Sequence, residues 1–196
     1  MTYSEYWGNA ETIKTLDRCW STKERMRRRQ PIYELLDTVA KVSSVLDHGA
    51  GILKDYPYFK KRGWRYTAAD INRKMISVSR EAYPEVLYLH DDILNSVFPD
   101  NNSELVYSNS VICHLPLKTV PVALREYARL AQRYVLVATP YLGEETKTEK
   151  VNGENEGWFW LNHFKHAYLC SLLEEIGKIV GRRLYQDVGA YLVKVK

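Results

Sequence analysis

The chain has 196 residues, of which 45% are hydrophobic and 27% are charged, as in an ordinary soluble globular protein. No apolar run approaches the roughly 18 residues of a membrane span, and Glu5 and Glu11 lie where a signal peptide would be apolar. Cys19, Cys113 and Cys170 are far apart and form no CxxC. They predict reduced thiols in a cytoplasmic setting and argue against a disulfide framework or zinc knuckle.

The net charge of +4 is concentrated at the two ends of the chain. Residues 1–30 contain seven basic and four acidic side chains, and residues 178–196 contain five and one. Such ends could meet an anionic partner, either a phosphate group or a nucleic acid. The alternative interpretation is a solvated basic face at each end.

The first half of the chain alternates predicted helices with predicted strands. Residues 9–29 are predicted to be helical, and Pro31 suits the first turn of a second helix. A later helix is predicted from Asn72, which can cap it, to residue 82. Strands are predicted at 43–48, 64–70 and 86–90, and a further helix at 53–62.

The second half continues the alternation and then changes. Strands are predicted at 104–107 and 134–138, with a helix opening at Pro121 between them. Residues 143–157 are rich in Gly, Glu, Lys and Asn and are predicted to be a long, mobile loop. A helix that stops at Gly177 leads to strands near 179–185 and 189–195.

This order of elements predicts an α/β fold. Strands that alternate with helices form a mainly parallel sheet with helices on both faces, whereas two strands joined by a short turn are antiparallel. We therefore predict a seven-stranded, mostly parallel sheet with one antiparallel strand from a C-terminal hairpin. Residues 1–196 are predicted to form one domain, with a core at 30–196.

Three predicted strands end in a carboxylate. The first strand runs through Asp47 into a turn that contains Gly49 and Gly51, the second ends at Asp70, and the third leads to Asp92. The carboxyl edge of a sheet built in this way can hold an adenosine. The glycine turn allows close approach of a ligand, one acid can bind ribose hydroxyls, and another can accept from the adenine amine.

The order and spacing of these motifs resemble the class I S-adenosylmethionine (SAM)-dependent methyltransferases of the small-molecule type, whose fold is Rossmann-like. The likeness covers about residues 30–196. It depends on Asp47-x-Gly49-x-Gly51, Asp70, Asp92-Ile93, the run Glu104–Val111, and His114-Leu115-Pro116. Two positions depart from the pattern. Leu53 replaces a third glycine. His48 stands where an apolar residue or glycine is more common, and we expect His48 to change how the methionine end of the cofactor is held.

The resemblance implies SAM as the cofactor and assigns residues to it. Asp47 would hold the glycine turn and approach the methionine ammonium, Asp70 would accept from the ribose hydroxyls, and Asp92 would accept from adenine N6. The other implied cofactor contacts are Gly49, Gly51, Ile71, Ile93, Ser108 and Asn109. Because the methyl group of a sulfonium is already activated, the protein needs no metal and acts mainly by positioning.

The sequence motifs indicate the acceptor-binding residues less specifically than the cofactor-binding residues. His114 is predicted to act as a general base or as a structural turn residue, and His163 is a second catalytic candidate. Trp158 and Trp160 could wall an acceptor pocket or pack beneath the loop. Residues 1–29 would form a helical lid that brings Tyr6, Trp7 and Arg25 to the acceptor; the alternatives are a frayed terminus and a solvated arginine face.

We expect the acceptor to be a small molecule that is methylated on O or N. Three other interpretations stay open: an RNA-directed methyltransferase that uses the basic ends, a non-catalytic methyltransferase-like partner subunit, and a dinucleotide-dependent oxidoreductase. The third glycine of a dinucleotide motif would fall at Lys54, which argues against the oxidoreductase.

Overall fold

A computed structural model describes residues 3–20, 22–39, 42–140, 142–152 and 158–196, with the side chains of residues 3–5, 19, 20 and 25 left out. The helices are α1 (Tyr3–Gly8), α2 (Ala10–Trp20), α3 (Lys23–Asp37), α4 (Tyr56–Lys61), α5 (Arg73–Ala82), α6 (Val120–Leu130) and α7 (His166–Ile176). The strands are β1 (Ser44–His48), β2 (Arg65–Asp70), β3 (Leu87–His90), β4 (Ser103–Asn109), β5 (Ala131–Thr139), β6 (Leu142–Gly143), β7 (Lys147–Asn152), β8 (Trp158–Lys165), β9 (Gly177–Tyr185) and β10 (Val188–Val195).

Seven of the strands form one sheet in the order β3-β2-β1-β4-β5-β10-β9. The pairs from β3 to β5 are parallel, and β10 is antiparallel to both β5 and β9. The predicted fold class is therefore confirmed, including the single antiparallel strand supplied by the C-terminal hairpin.

Helices cover both faces of this sheet, which buries β1 along its whole length. On one face, α6 and α7 pack through Leu124, Tyr127 and Leu169. On the other face, α3, α4 and α5 contribute a second cluster that includes Leu36 and Phe59. A strand covered on both faces is nearly continuously buried, which is why β1 shows no alternation of apolar and polar residues.

The prediction that Pro31 opens a helix is wrong. Pro31 lies inside α3, which begins at Lys23. Proline lacks the N–H that would bond to the preceding turn, so an interior proline costs a helix hydrogen bond. The helix continues because residues on both sides of Pro31 are held by the core: Ile32, Leu35 and Leu36 are each only 1% exposed.

The prediction of one long loop at 143–157 is also wrong for the described part. Residues Lys147–Asn152 form β7, which pairs antiparallel with β8, while β6 pairs with the other edge of β8. Most of β7 is exposed on both faces, so its sequence carries no apolar alternation that would identify a strand. Residues 153–157 lie outside the described part of the chain.

Candidate functional site

The two glycines of the turn after β1 have different surroundings. Gly49 has a φ of 84°, and a Cβ there would lie 2.2 Å from Val111 Cγ2. Gly51 has a φ of 54°, but a Cβ there would meet no protein atom within 4 Å. Gly49 is therefore required for packing within the protein, whereas Gly51 opens a space that a ligand could approach.

Leu53, at the position of the absent third glycine, adopts the backbone that glycine would favour. Its φ is 57°, and its side chain is 1% exposed within the core. A left-handed conformation costs a non-glycine residue about 1–2 kcal/mol, which burial of a leucine side chain can offset. The departure from the motif therefore leaves the shape of the turn intact.

Asp70 joins the glycine turn to the end of β2. Its Oδ2 accepts from the Gly51 N–H at 2.8 Å, and its Oδ1 accepts from the Asn72 N–H at 2.8 Å. Burial raises the pKa of this carboxyl, and the two N–H donors act in the opposite direction. Each oxygen of a carboxylate can accept more than one hydrogen bond, so Asp70 retains capacity for hydroxyl donors such as those of a ribose.

Ile71 and Ile93 differ in exposure although the sequence assigns both to adenine. Ile71 is 51% exposed and directly follows the half-buried Asp70. Ile93 is 5% exposed and packs in the core with α6. The Asp92 carboxylate accepts from the Leu94 N–H at 2.9 Å through Oδ1. Ile71 therefore offers an apolar surface to a ligand, and Ile93 anchors the segment that carries Asp92.

Two further residues assigned to the cofactor have side chains enclosed by protein. The buried Asp47 carboxyl accepts from the Tyr66 hydroxyl, and burial raises its pKa. The Ser108 hydroxyl is 2.8 Å from the Tyr127 hydroxyl, on the side of the sheet covered by α6. The structure thus does not bring these two polar groups to the open side of the glycine turn.

Asn109 belongs to a buried polar network that the sequence reasoning missed. Its Nδ2 donates to Asp55 Oδ2 at 3.0 Å, and the same carboxylate accepts from Tyr107 at 2.9 Å and from Tyr33 at 2.7 Å. Arg29 Nε lies 2.9 Å from Asp55 Oδ1. The network ties α3 and the turn before α4 to the end of β4, and these partners are far apart in sequence.

His114 lies in a cluster of aromatic rings, the aromatic cluster, formed with Tyr6, Trp7 and Phe159. The ring centroid of His114 is 4.8 Å from that of Trp7 and 5.4 Å from that of Phe159, and Tyr6 stacks on Phe159 at 5.1 Å. Burial lowers the pKa of His114 to about 4, although a hydrogen bond to Trp160 acts against this. The structure therefore joins three predicted residues, Tyr6, Trp7 and His114, from two distant segments, and adds Phe159 of β8.

The aromatic cluster is connected to the glycine turn through Val111. The backbone N–H of His114 donates to the Val111 carbonyl at 2.9 Å within a 3₁₀ turn, and the Val111 side chain packs against Gly49. The side chain of Asn162, on β8, donates to two carbonyls around this turn, at 3.0 and 2.7 Å. The turn after β4 is thereby held between β8 and the glycine turn.

The remaining predicted acceptor residues occupy the β7–β8 hairpin and α3. His163 Nε2 is 3.5 Å from Glu149 Oε2. Trp158 packs against Trp160 with ring centroids 5.2 Å apart, and Lys150 Nζ lies 4.4 Å from the Trp158 ring. The side chain of Arg25 lies outside the described part of the structure.

The described residues hold no group of three or more His, Cys, Asp or Glu side chains that could bind a metal ion. Among these residues, no helix is long and apolar enough to cross a membrane.

Comparison with known proteins finds similarity to methyltransferases. A family model described as a methyltransferase domain matches residues 46–137. Phosphoethanolamine N-methyltransferase of Plasmodium falciparum is 29% identical over 151 residues, which are 74% of this chain and 54% of that protein. The chain thus spans about half the length of this curated relative.

Solved structures show the same fold at low sequence identity. A Pyrococcus horikoshii OT3 protein is 17% identical with a TM-score of 0.76, over 90% of this chain and 93% of its own. The 1,6-didemethyltoxoflavin-N1-methyltransferase of Burkholderia thailandensis, bound to S-adenosylhomocysteine, is 13% identical with a TM-score of 0.75, over 100% and 91%. Magnesium protoporphyrin IX methyltransferase of Synechocystis PCC 6803, bound to SAM, is 13% identical with a TM-score of 0.71, over 98% and 95%.

The matched methyltransferase-domain model covers residues 46–137, and the solved structures that share the fold include methyltransferases bound to SAM or S-adenosylhomocysteine. The site is compatible with such a cofactor, because Gly51 faces open space, Asp70 retains acceptor capacity and Ile71 presents an apolar surface.

Proposed function

We propose that the chain transfers the methyl group of SAM to a nitrogen or oxygen atom of a small-molecule acceptor that enters at the aromatic cluster. The observation that carries this is the link from Gly49 through Val111 to His114, which places the cluster beside the glycine turn. When bound, SAM supplies a methyl group on a sulfonium. The residues of the chain then need to bind, align the acceptor and exclude water.

The proposed cofactor contacts follow from the geometry at the carboxyl edge. Asp70 binds the ribose hydroxyls through the unused acceptor capacity of its two oxygens. Asp92 accepts from the adenine amine, and the exposed Ile71 packs on the base. Gly51 allows the cofactor to approach the backbone, because nothing in the described protein lies within 4 Å of a Cβ at this position.

His114 is proposed to orient the acceptor. Its Nδ1 is 3.0 Å from the Trp160 carbonyl, which can only accept, so Nδ1 carries the proton and Nε2 carries the lone pair. Nε2 can therefore accept from an N–H or O–H of the acceptor. With a pKa near 4, the imidazole is too weak a base to deprotonate a charged amine, so its role is alignment.

Helix α1 is proposed to act as the lid. A Cβ at Gly8 would lie 3.2 Å from Asn72 Nδ2, after β2, while Trp7 contacts His114, after β4. The helix therefore crosses the carboxyl edge from one strand end to the other. A lid in this position would shield the transfer from water. We propose that residues 1–196 act as one domain, and the three separated cysteines favour a cytoplasmic setting.

Two observations favour a small nitrogen acceptor over RNA. The names of the Plasmodium and Burkholderia relatives describe methylation of nitrogen on small molecules. In addition, two arginines of the basic N-terminal region are already paired, Arg28 with Asp187 and Arg29 with Asp55. This pairing reduces the positive charge that a nucleic acid would meet.

The proposal is tested by measuring S-adenosylhomocysteine formation with a panel of small amines and hydroxyl compounds, phosphoethanolamine included, and with RNA at low salt. We expect turnover with a small amine and none with RNA. With the acceptor that is turned over, His114→Gln should lower kcat about 100-fold, because the acceptor loses its alignment. The matched control is His166→Gln, because His166 contacts Tyr191 at the other end of β8. Turnover only with RNA, or cofactor binding without turnover of any acceptor, would contradict the proposal.

A further inference from the structure

His48 and Asp91 form a buried pair whose side chains meet across one face of β2. His48 Nε2 is 2.8 Å from Asp91 Oδ2, and the two side chains are 2% and 1% exposed. His48 ends β1, Asp91 follows β3, and β2 lies between those strands in the sheet. The His48 ring is 6.2 Å from the ring of Tyr127, so the contact lies on the face covered by α6.

The Asp91 carboxylate also closes the segment that follows it. It accepts from the Ser96 hydroxyl at 2.5 Å and from the Val97 N–H at 2.9 Å. These bonds define a loop over residues 91–97, the adenine segment. The hydrogen bonds outweigh the effect of burial, which alone would raise the pKa of Asp91, so that the net shift of this pKa is downward.

Asp92 lies inside this loop, and its carboxylate has one oxygen committed to the loop backbone. Oδ1 accepts from the Leu94 N–H at 2.9 Å, while the Ile93 side chain is buried below. The direction of the Asp92 carboxylate therefore depends on the loop conformation. Asp91 joins the two ends of the loop and contacts His48, so this carboxylate connects the end of β1 to the loop that carries Asp92.

We propose that the His48–Asp91 pair is a positioning pair, which sets the tightness and selectivity with which the site binds the adenine amine. This role rests on the proposed contact of Asp92 with that amine. It also revises the expectation that His48 would act at the methionine end, because its imidazole reaches the adenine segment. His48 directly precedes Gly49, so the pair holds the glycine turn and the adenine segment in fixed relation.

The test compares two ligands that differ only at the adenine amine. They are S-adenosylhomocysteine and its purine riboside analogue, in which hydrogen replaces the 6-amino group, and both dissociation constants are measured by calorimetry. The native protein should prefer S-adenosylhomocysteine about tenfold, the value of one good hydrogen bond. In His48→Leu and in Asp91→Asn, we expect S-adenosylhomocysteine to bind about tenfold more weakly and the analogue to change less than twofold.

Controls separate positioning from general stability. The variant that combines His48→Leu with Asp91→Asn leaves no unpaired buried charge, and it serves if a single variant fails to fold. Tyr127→Phe removes a neighbouring buried hydrogen bond to Ser108 and should lower the melting temperature without changing ligand preference. Folded pair variants that keep the preference, or that lose affinity for both ligands equally, would overturn the role of the pair.

Asp92→Ala distinguishes the two levels of the inference. If this variant keeps the preference for the amine, the proposed contact of Asp92 fails, and the positioning role fails with it. If it loses the preference while His48→Leu keeps it, only the positioning role fails. If both lose it and Tyr127→Phe keeps it, the pair positions Asp92 as proposed.

Discussion

Alanine substitution at the two glycines of the β1 turn should separate stability from cofactor binding. Both glycines have positive φ, so alanine at either position incurs about 1–2 kcal/mol of backbone strain. At Gly49 the new methyl group would also meet three atoms of Val111, at 2.2, 3.1 and 3.3 Å. Because a valine side chain is short, rotation about χ1 cannot remove all three contacts, and overpacking of this kind adds about 1–3 kcal/mol.

The expected loss in unfolding free energy is therefore roughly 2–5 kcal/mol for Gly49→Ala and about 1–2 kcal/mol for Gly51→Ala. For a domain of this size each kcal/mol lowers the melting temperature by about 2–4 °C, so Gly49→Ala should melt roughly 4–20 °C lower than the native protein. Urea unfolding gives the free energies directly. Adding Val111→Ala to Gly49→Ala should recover the overpacking part and leave the backbone strain.

Cofactor binding should follow the opposite order. The methyl group of Gly51→Ala projects into the space that we assign to the cofactor, so S-adenosylhomocysteine should bind at least about tenfold more weakly by calorimetry, a loss of about 1.4 kcal/mol. Equal destabilisation by the two substitutions would refute the packing account of Gly49. Native affinity in Gly51→Ala would refute the assignment of the open space.

Three further predictions concern single residues. Asp70→Asn should weaken S-adenosylhomocysteine binding by about 10-fold to 100-fold in calorimetry, because an amide replaces one acceptor oxygen with a donor; unchanged affinity would remove Asp70 from the ribose site. The pKa of His114 falls from 6.5 to about 4 on folding, so the unfolded chain binds more protons between these values. Stability should be unaffected by this group above about pH 6.5 and should fall by about 3 kcal/mol as the pH approaches 4, whereas His114→Gln should lose this part of the pH dependence in denaturant titrations. Leu53→Gly should destabilise the protein by about 1–3 kcal/mol, since the loss of a buried side chain exceeds the relief of backbone strain; a stabilised variant would show that strain dominates.

Local patterns were sufficient for most of the fold. The alternation of strands and helices, the cap at Asn72 and the C-terminal hairpin each depend on residues within one short segment. The same holds for the glycine turn and the acid at the end of β2, since both are specified by positions close to a single strand. Strand β7 was missed because its exposed polar side chains carry no periodic signal, and its partner β8 alone defines it.

The sequence by itself determined the order of the seven strands of the main sheet along the chain and the turn at Gly49 and Gly51, because these depend on neighbouring residues and on chain order. Only the tertiary structure decided which polar groups face the ligand and which are enclosed. It placed His48 on Asp91, Arg29 on Asp55 and Trp7 on His114. Each of these contacts joins residues more than 20 positions apart, and such pairing is set by the packing of elements on the sheet, which no local pattern records.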